Sequence, residues 1–176
     1  MRQRLPDLQA VVQVYALIAV IFAGWTIMAF LWKLSAWLLL LNLGEILTIL
    51  SYALAANFLE SLIVLSVLLA VCALLPAAVL RDDFVVRGAI LALGLVGSLM
   101  AFVGAEVQLG FDNGFKLLLA PLAILLLTGF LLRRSATYHR LRLAAMWLTD
   151  RVVIFLFVLL PLFAIGSVYV ILRNVV

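Results

Sequence analysis

The sequence predicts an all-α integral membrane protein, a polytopic bundle of about six transmembrane helices with short loops. Of its 176 residues, 69% are apolar and 11% are charged, and its mean hydropathy is +1.36. A soluble domain is about half apolar and about a quarter charged, so this composition is typical of a chain that resides in lipid. No polar stretch is long enough for a separate soluble domain. Residues 1–176 are therefore expected to form a single transmembrane domain.

Six apolar runs are each long enough to cross a bilayer, which takes about 20 helical residues. The first run follows two arginines and is expected to be retained, because no small-residue cleavage site with a polar region follows it. A short helix in the membrane surface is expected at 136–149, where apolar residues recur among arginines. The spans are expected at about 10–32, 35–56, 58–80, 88–109, 116–132 and 152–172.

One long apolar stretch, residues 34–80, is divided into two of these spans. It contains only two charged residues, Glu45 and Glu60, and its 47 residues are too many for a single span. The turn between the two spans is expected at Asn57. This division places Glu45 close to the middle of the second span, where a charged group costs about 2.5–3.5 kcal/mol on insertion scales.

Glu45 is accompanied by other polar residues on one face of its predicted helix. At about 100° per residue, Asn42, Glu45, Thr48 and Tyr52 fall on one face of the predicted helix, with Leu and Ile opposite. Lipid offers that face no partner, so it must contact protein or water. Either Glu45 is neutral and holds helices together through hydrogen bonds, or these four residues form an ion or ligand site.

Further polar residues fall toward the predicted outer surface and could form a route to Glu45. Such residues either make up an outer vestibule or are ordinary solvated span ends. They are Glu60, Glu106, Asp112 and Lys116.

The fourth predicted span carries small residues spaced four apart. Small residues let another helix approach closely, where dispersion and weak hydrogen bonds hold the pair. The predicted packing face consists of Gly94, Gly97, Ser98, Ala101 and Ala105.

Arginines are concentrated between the fifth and sixth predicted spans, at Arg133, Arg134, Arg140 and Arg142. They could bind anionic lipid headgroups or an acidic partner surface, each contributing about 1 kcal/mol near a membrane. The alternative is that they only orient the chain, because basic residues favour the cytoplasmic side. In the six-span arrangement, eight of the 12 basic residues lie in odd-numbered loops. This places those loops in the cytoplasm and both termini outside.

Several function classes lack the residues that they need. A single Cys72 excludes an internal disulfide and a cysteine cluster, and a single His139 excludes a bis-histidine haem or zinc site within one chain. No phosphate-binding loop, HExxH or GxSxG pattern occurs. The basic residues form no single face for nucleic acid. No catalytic residue, metal or cofactor is therefore predicted.

Three functions remain open. The first is a non-catalytic membrane subunit or accessory protein that docks other membrane proteins, or further copies of this chain, within the lipid bilayer. The second is a small transporter or channel with Glu45 as a proton- or cation-coupled site. The third is a membrane-embedded lipid-modifying enzyme that uses His139 as acid or base.

Overall fold

The structure, a computed structural model, describes residues 6–74, 83–109, 114–135 and 139–175. These residues form five α-helices, each with a segment long and apolar enough to cross a membrane. The all-helical prediction is confirmed, and the chain is compatible with a multi-pass membrane protein. The predicted number of six helices is wrong, since the described residues contain five. The helices are α1 (Leu8–Leu40), α2 (Leu43–Leu74), α3 (Phe84–Leu109), α4 (Gly114–Ser135) and α5 (His139–Val175).

The largest correction concerns residues 8–74, where two helices replace the predicted spans 10–32 and 35–56 and the first part of 58–80. Residues 75–80 of that third span lie outside the described part of the chain. Helix α1 continues through Lys33, and α2 runs without a break through Asn57, the residue predicted to form the turn. The chain instead leaves the helical path at Leu41 and Asn42. With 33 and 32 residues, α1 and α2 are each about 50 Å long at 1.5 Å per residue. Both therefore exceed the bilayer hydrocarbon thickness of about 30 Å.

Local capping chemistry explains where α2 begins. The Asn42 side chain accepts a hydrogen bond from the Glu45 backbone, and the Glu45 carboxylate accepts one from the Asn42 backbone. This reciprocal pair is the arrangement of a capping box, which satisfies backbone donors that a helix start leaves open. Nothing comparable stands near Asn57, whose neighbours include two alanines and a leucine that favour helix. The turn therefore forms at Asn42.

The C-terminal part of the chain shows the same kind of merger. The predicted surface helix 136–149 and the predicted last span 152–172 belong to one continuous helix, α5, which begins at His139. Residues 136–138 lie outside the described part of the chain. Arg151 does not end the surface segment, because arginine is a good helix former. By contrast, α3 and α4 lie close to the predicted spans 88–109 and 116–132.

The packing of α1 determines where the bundle is closed. Residues 14–19 are all buried, because α2 and α3 cover one side of this segment and α2 and α5 cover the other. Beyond Ala23 most residues of α1 are exposed. Helix α3 contacts each of the other four helices, and α4 packs mainly against α3. The bundle therefore opens beside the middle of α1, between α2 and α3.

The small residues of α3 lie in different surroundings. Gly94 faces Thr128 of α4 so closely that an added Cβ would overlap the threonine side chain. At Gly97 an added Cβ would lie 3.8 Å from Ile124 of α4, an ordinary contact. The Ser98 hydroxyl donates to the Leu95 carbonyl of its own helix at 2.8 Å. Ala101 and Ala105 are half-buried. Gly94 is thus the point where α3 and α4 approach most tightly among these residues.

Candidate functional site

The structure places Glu45 at the start of a helix and not in the middle of one. Its Oε2 accepts from the Asn42 backbone N–H at 2.9 Å, and its own N–H donates to Asn42 Oδ1 at 2.9 Å. Both residues are exposed. A carboxylate in the first turn also interacts favourably with the helix dipole. The prediction that Glu45 lies halfway along a span is therefore wrong, and its contacts are those of a helix cap.

Thr48 and Tyr52, the other two residues of the predicted site, join the start of α2 to the end of α5. Thr48 Oγ1 donates to the Gly44 carbonyl at 2.7 Å and lies 2.9 Å from the Tyr169 hydroxyl. The Arg173 guanidinium donates to Thr48 Oγ1. Asn174 Nδ2 donates to the Tyr52 hydroxyl at 2.8 Å. We call this group, together with Asn42 and Glu45, the end cluster. Its polar side chains form hydrogen bonds with one another or with nearby backbone, and several of these bonds join α2 to α5.

The residues of the predicted vestibule do not form one group in the described part of the chain. Asp112 and the side chain of Lys116 lie outside it. Glu106 is half-buried near the end of α3. Glu60 lies well inside α2, about 26 Å from the start of the helix and about 21 Å from its end at 1.5 Å per residue. Glu60 therefore holds the halfway position that the sequence prediction gave to Glu45.

Glu60 lines a cavity of about 470 Å³ between α1, α2 and α3. We call this cavity the mid-helix groove. It lies where α1 emerges from the core, and apolar and aromatic side chains make up most of its wall. A concave, mostly apolar wall with a few polar groups is typical of small-molecule sites. The groove is lined by Phe22, Trp25, Thr26, Ala53, Ala56, Asn57, Glu60, Leu99, Met100 and Val103.

Asn57 and Thr26 are the uncharged polar residues that line the groove. Thr26 Oγ1 of α1 donates to Asn57 Oδ1 at 2.9 Å, and Asn57 is only 3% exposed. Asn57 Nδ2 is buried and has no hydrogen-bond partner among the described residues. A buried donor left unsatisfied costs about 1–3 kcal/mol, so it is seldom retained without a reason.

The spacing of Asn57 and Glu60 brings their side chains to the same face of α2. Residues three apart on a helix are neighbours, with Cβ atoms about 5–6 Å apart. Glu60 is exposed, and no ion pair joins it to a lysine or arginine in the described residues. The groove is therefore lined by a carboxylate and, beside it, an amide whose donor has no partner in the described residues. That pair can bind a ligand but contains no nucleophile beside a base, as covalent catalysis would need.

The arginines of the predicted lipid or partner surface collect at the opposite end of the bundle from the end cluster. Arg142 forms an ion pair with Asp83 at 2.9 Å. The Arg134 guanidinium lies 5.4 Å from the centre of the Phe130 ring. Arg133 and Arg140 are exposed, as is His139 at the start of α5. The described residues contain no group of three or more His, Cys, Asp or Glu side chains that could hold a metal ion.

The chain matches no protein-family model, no curated protein and no solved structure.

Thr26 and Asn57 are the polar groove residues that the sequence did not identify as a site. The sequence predicts a turn at Asn57 because it lies between two apolar runs, and Thr26 is an isolated polar residue in the first run. The available signal was the Asn42–Glu45 spacing, which marks a helix start. A helix starting there carries Asn57 and Glu60 three residues apart near its middle.

Proposed function

We propose that this chain is a small, non-enzymatic membrane transporter or channel whose polar site is the mid-helix groove. The observation that carries the proposal is the unpartnered Asn57 Nδ2 beside the Glu60 carboxylate, halfway along α2. The proposal keeps the class expected from an intramembrane carboxylate but moves the site from Glu45 to Glu60. Thr26 and Asn57 are its polar neighbours, in place of Asn42 and Thr48.

The free energy needed to place these polar groups within the membrane supports a functional role. If α2 crosses the bilayer, the position of Glu60 along the helix puts its carboxylate near the midplane. A charged group there costs about 2.5–3.5 kcal/mol on insertion scales. The buried Asn57 donor adds about 1–3 kcal/mol. Polar groups that are expensive and close together are the usual mark of an ion or substrate pathway in membrane helices.

An arrangement with five crossings also changes the proposed orientation. Nine of the 12 basic residues then fall on the side that holds the N-terminus and the α2–α3 and α4–α5 connections. Only Lys33, Lys116 and Arg173 fall on the other. We therefore propose a cytoplasmic N-terminus and an outer C-terminus, in place of two outer termini. The exposed Arg133 and Arg140 would then face anionic headgroups of the cytoplasmic leaflet.

Flux through the purified chain tests the proposed function. Wild type is reconstituted in liposomes, and imposed proton and sodium gradients are used to measure ion movement. We expect flux that Glu60→Gln abolishes, because glutamine keeps the size of glutamate but carries no charge. Glu45→Gln is the matched control, since it makes the same change in the end cluster, and it should keep the wild-type flux.

Two outcomes would contradict the proposal. Flux that is unchanged by Glu60→Gln would place the site elsewhere. If wild type moves neither protons nor sodium, the proposed function is wrong for the isolated chain.

The second candidate is a non-catalytic subunit that docks another membrane protein. Its supporting observation is the exposure of Glu60 together with apolar neighbours on the same helix, such as Leu59 and Ile63, each 61% exposed. A partner helix with a polar or basic side chain could cover this face of α2.

Photo-crosslinking in native membranes tests the docking candidate. A photoreactive amino acid at Ile63 should trap one discrete partner or a second copy of this chain, and Glu60→Gln should reduce the yield. The matched position is Leu126 of α4, which is 75% exposed on a different helix. Equal, diffuse labelling from both positions would show that lipid alone covers the Glu60 face.

A further inference from the structure

Three kinds of chemistry meet in the mid-helix groove. Glu60 supplies a carboxylate, and Asn57 Nδ2 supplies a buried donor one helical turn away. Phe22 and Trp25 supply aromatic rings, and the α3 side is apolar. The ligand of the groove must match all three.

The carboxylate and the aromatic rings favour a cation. No basic side chain pairs with Glu60 in the described residues, and a cationic ligand would supply the missing counter-charge in a setting where lipid cannot. Trp and Phe rings attract cations through their negative faces, and the attraction is stronger where water is excluded. Trp25 is 42% exposed and Phe22 is 5% exposed, so one ring is reachable from outside and one belongs to the wall.

The size and lining of the groove favour an organic cation over a metal ion. Its volume of about 470 Å³ falls in the usual range of about 300–1,000 Å³ for small-molecule sites. Hard metal ions require several oxygen ligands, whereas the groove contributes one carboxylate, and the Asn57 amide oxygen is already engaged by Thr26. The apolar wall of Leu99, Met100 and Val103 suits hydrocarbon.

The amide donor adds a requirement that a simple amine does not meet. Asn57 Oδ1 is engaged by Thr26, whereas Nδ2 has no acceptor among the described residues. Because Asn57 and Glu60 are neighbours at about 5–6 Å between Cβ atoms, the acceptor must stand only a few bonds from the cationic nitrogen. An amino alcohol has that arrangement.

We infer that the mid-helix groove binds a small amphiphilic ammonium compound that carries a hydrogen-bond acceptor close to its nitrogen. Glu60 accepts from the ammonium group, Asn57 Nδ2 donates to the ligand oxygen, and the aromatic and apolar walls hold the hydrocarbon part. The inference rests on the proposed function, because it names the ligand class of the same groove.

Three probes of nearly equal shape separate these contributions. Phenylethanolamine carries both the ammonium and the hydroxyl, 2-phenylethylamine lacks the hydroxyl, and 1-phenylethane-1,2-diol lacks the charge. Binding is measured by isothermal titration calorimetry to the full chain in lipid nanodiscs, with protein-free nanodiscs as the blank for partition into lipid.

Wild type should bind phenylethanolamine more tightly than 2-phenylethylamine, and both more tightly than the diol. Glu60→Gln should weaken both amines at least tenfold and leave the diol unchanged. Glu60→Asp keeps the charge and should retain the preference for amines. Asn57→Leu should remove the difference between the two amines. Glu45→Gln, the matched control in the end cluster, should change none of these affinities.

Different failures point to different conclusions. If amines bind wild type no better than protein-free nanodiscs, or bind Glu60→Gln as well as wild type, the ammonium inference is wrong. A diol that binds as tightly as the amines and depends on Asn57 would also overturn it, while leaving the groove a ligand site. Ion flux that depends on Glu60, found without amine binding, would likewise keep the proposed function and discard the ligand class.

Discussion

Two polar regions along α2 contain the same residue types but differ in whether their polar atoms have hydrogen-bond partners. The end cluster contains Asn42 and Glu45, three residues apart, and each accepts a hydrogen bond from the other's backbone. The mid-helix groove contains Asn57 and Glu60, also three residues apart, and there Asn57 Nδ2 has no partner in the described structure. The same two residue types at the same spacing thus form a satisfied cap in one place and an open pair in the other. Polar groups that bond one another stabilise the fold, whereas a buried polar group without a partner suggests that a ligand supplies one.

The difference comes from position along the helix. At a helix start, backbone N–H groups are available and an Asn–x–x–Glu sequence can satisfy them. In a helix interior every backbone N–H is already bonded within the helix, so the same side chains must find partners on other helices. Asn57 finds Thr26 for its oxygen only. The four predictions that follow test this contrast, from the largest expected effect to the smallest.

The first prediction concerns the chemical surroundings of the two carboxyl groups. Dicyclohexylcarbodiimide partitions into hydrocarbon, whereas a water-soluble carbodiimide stays outside. We expect the hydrophobic reagent to modify Glu60 and spare Glu45, and the soluble reagent to show the opposite preference, as read by peptide mass spectrometry of intact membranes. Modification of both glutamates by the soluble reagent alone would place Glu60 in water and remove the contrast.

The second prediction concerns accessibility. With Cys72 changed to Ser, a cysteine at Asn42 should react with a membrane-impermeant maleimide in sealed cells, and a cysteine at Ala56 should not. A cysteine at Asp83, near the other end of the bundle, should react only after the cells are opened. Labelling at Ala56 with protection at Asn42 would restore the six-span arrangement, and labelling at Asp83 in sealed cells would reverse the orientation.

The third prediction concerns stability. Replacing both polar partners of a site by apolar groups can be neutral or stabilising when one of them was unsatisfied. The double variant Thr26→Val, Asn57→Leu should therefore be more stable by about 1 kcal/mol, while losing ligand binding. Thermal unfolding in detergent measures the change.

The matched double variant in the end cluster is Thr48→Val, Tyr52→Phe. It removes existing hydrogen bonds between α2 and α5, so it should lower the unfolding temperature. If both double variants shift the unfolding temperature in the same direction, the polar groups of the two regions do not differ in how well they are hydrogen-bonded.

The fourth prediction concerns the cap. Asn42→Ala should reduce the free energy of unfolding by about 1 kcal/mol, because it removes the acceptor for an open backbone donor. Asn42→Asp preserves that acceptor and should behave like wild type. Both variants should keep the probe affinities of the groove. A loss of binding in Asn42→Ala would show that the two regions are coupled.

The sequence by itself determined the class of structure. Long apolar runs with few charges favour helices, because a helix bonds its own backbone polar groups, and the described residues are helical as expected. The approximate positions of α3 and α4 also follow from the sequence, because charged or turn-forming residues flank each of them. Glycines and charges there interrupt the apolar pattern clearly enough to mark the ends.

The sequence did not decide which glutamate lies halfway along a helix, because residues 34–80 are almost uniformly apolar and hydropathy is nearly flat across them. The turn depended on a capping interaction at Asn42, which stabilises a helix start by about 1 kcal/mol. The sequence pattern of such a cap is short, and it is easily overlooked within a long apolar stretch. The groove depended on contacts still more distant in sequence. Thr26, Asn57 and Met100 come from three helices, and only the packing of those helices brings their side chains together and leaves Asn57 Nδ2 without a partner among the described residues.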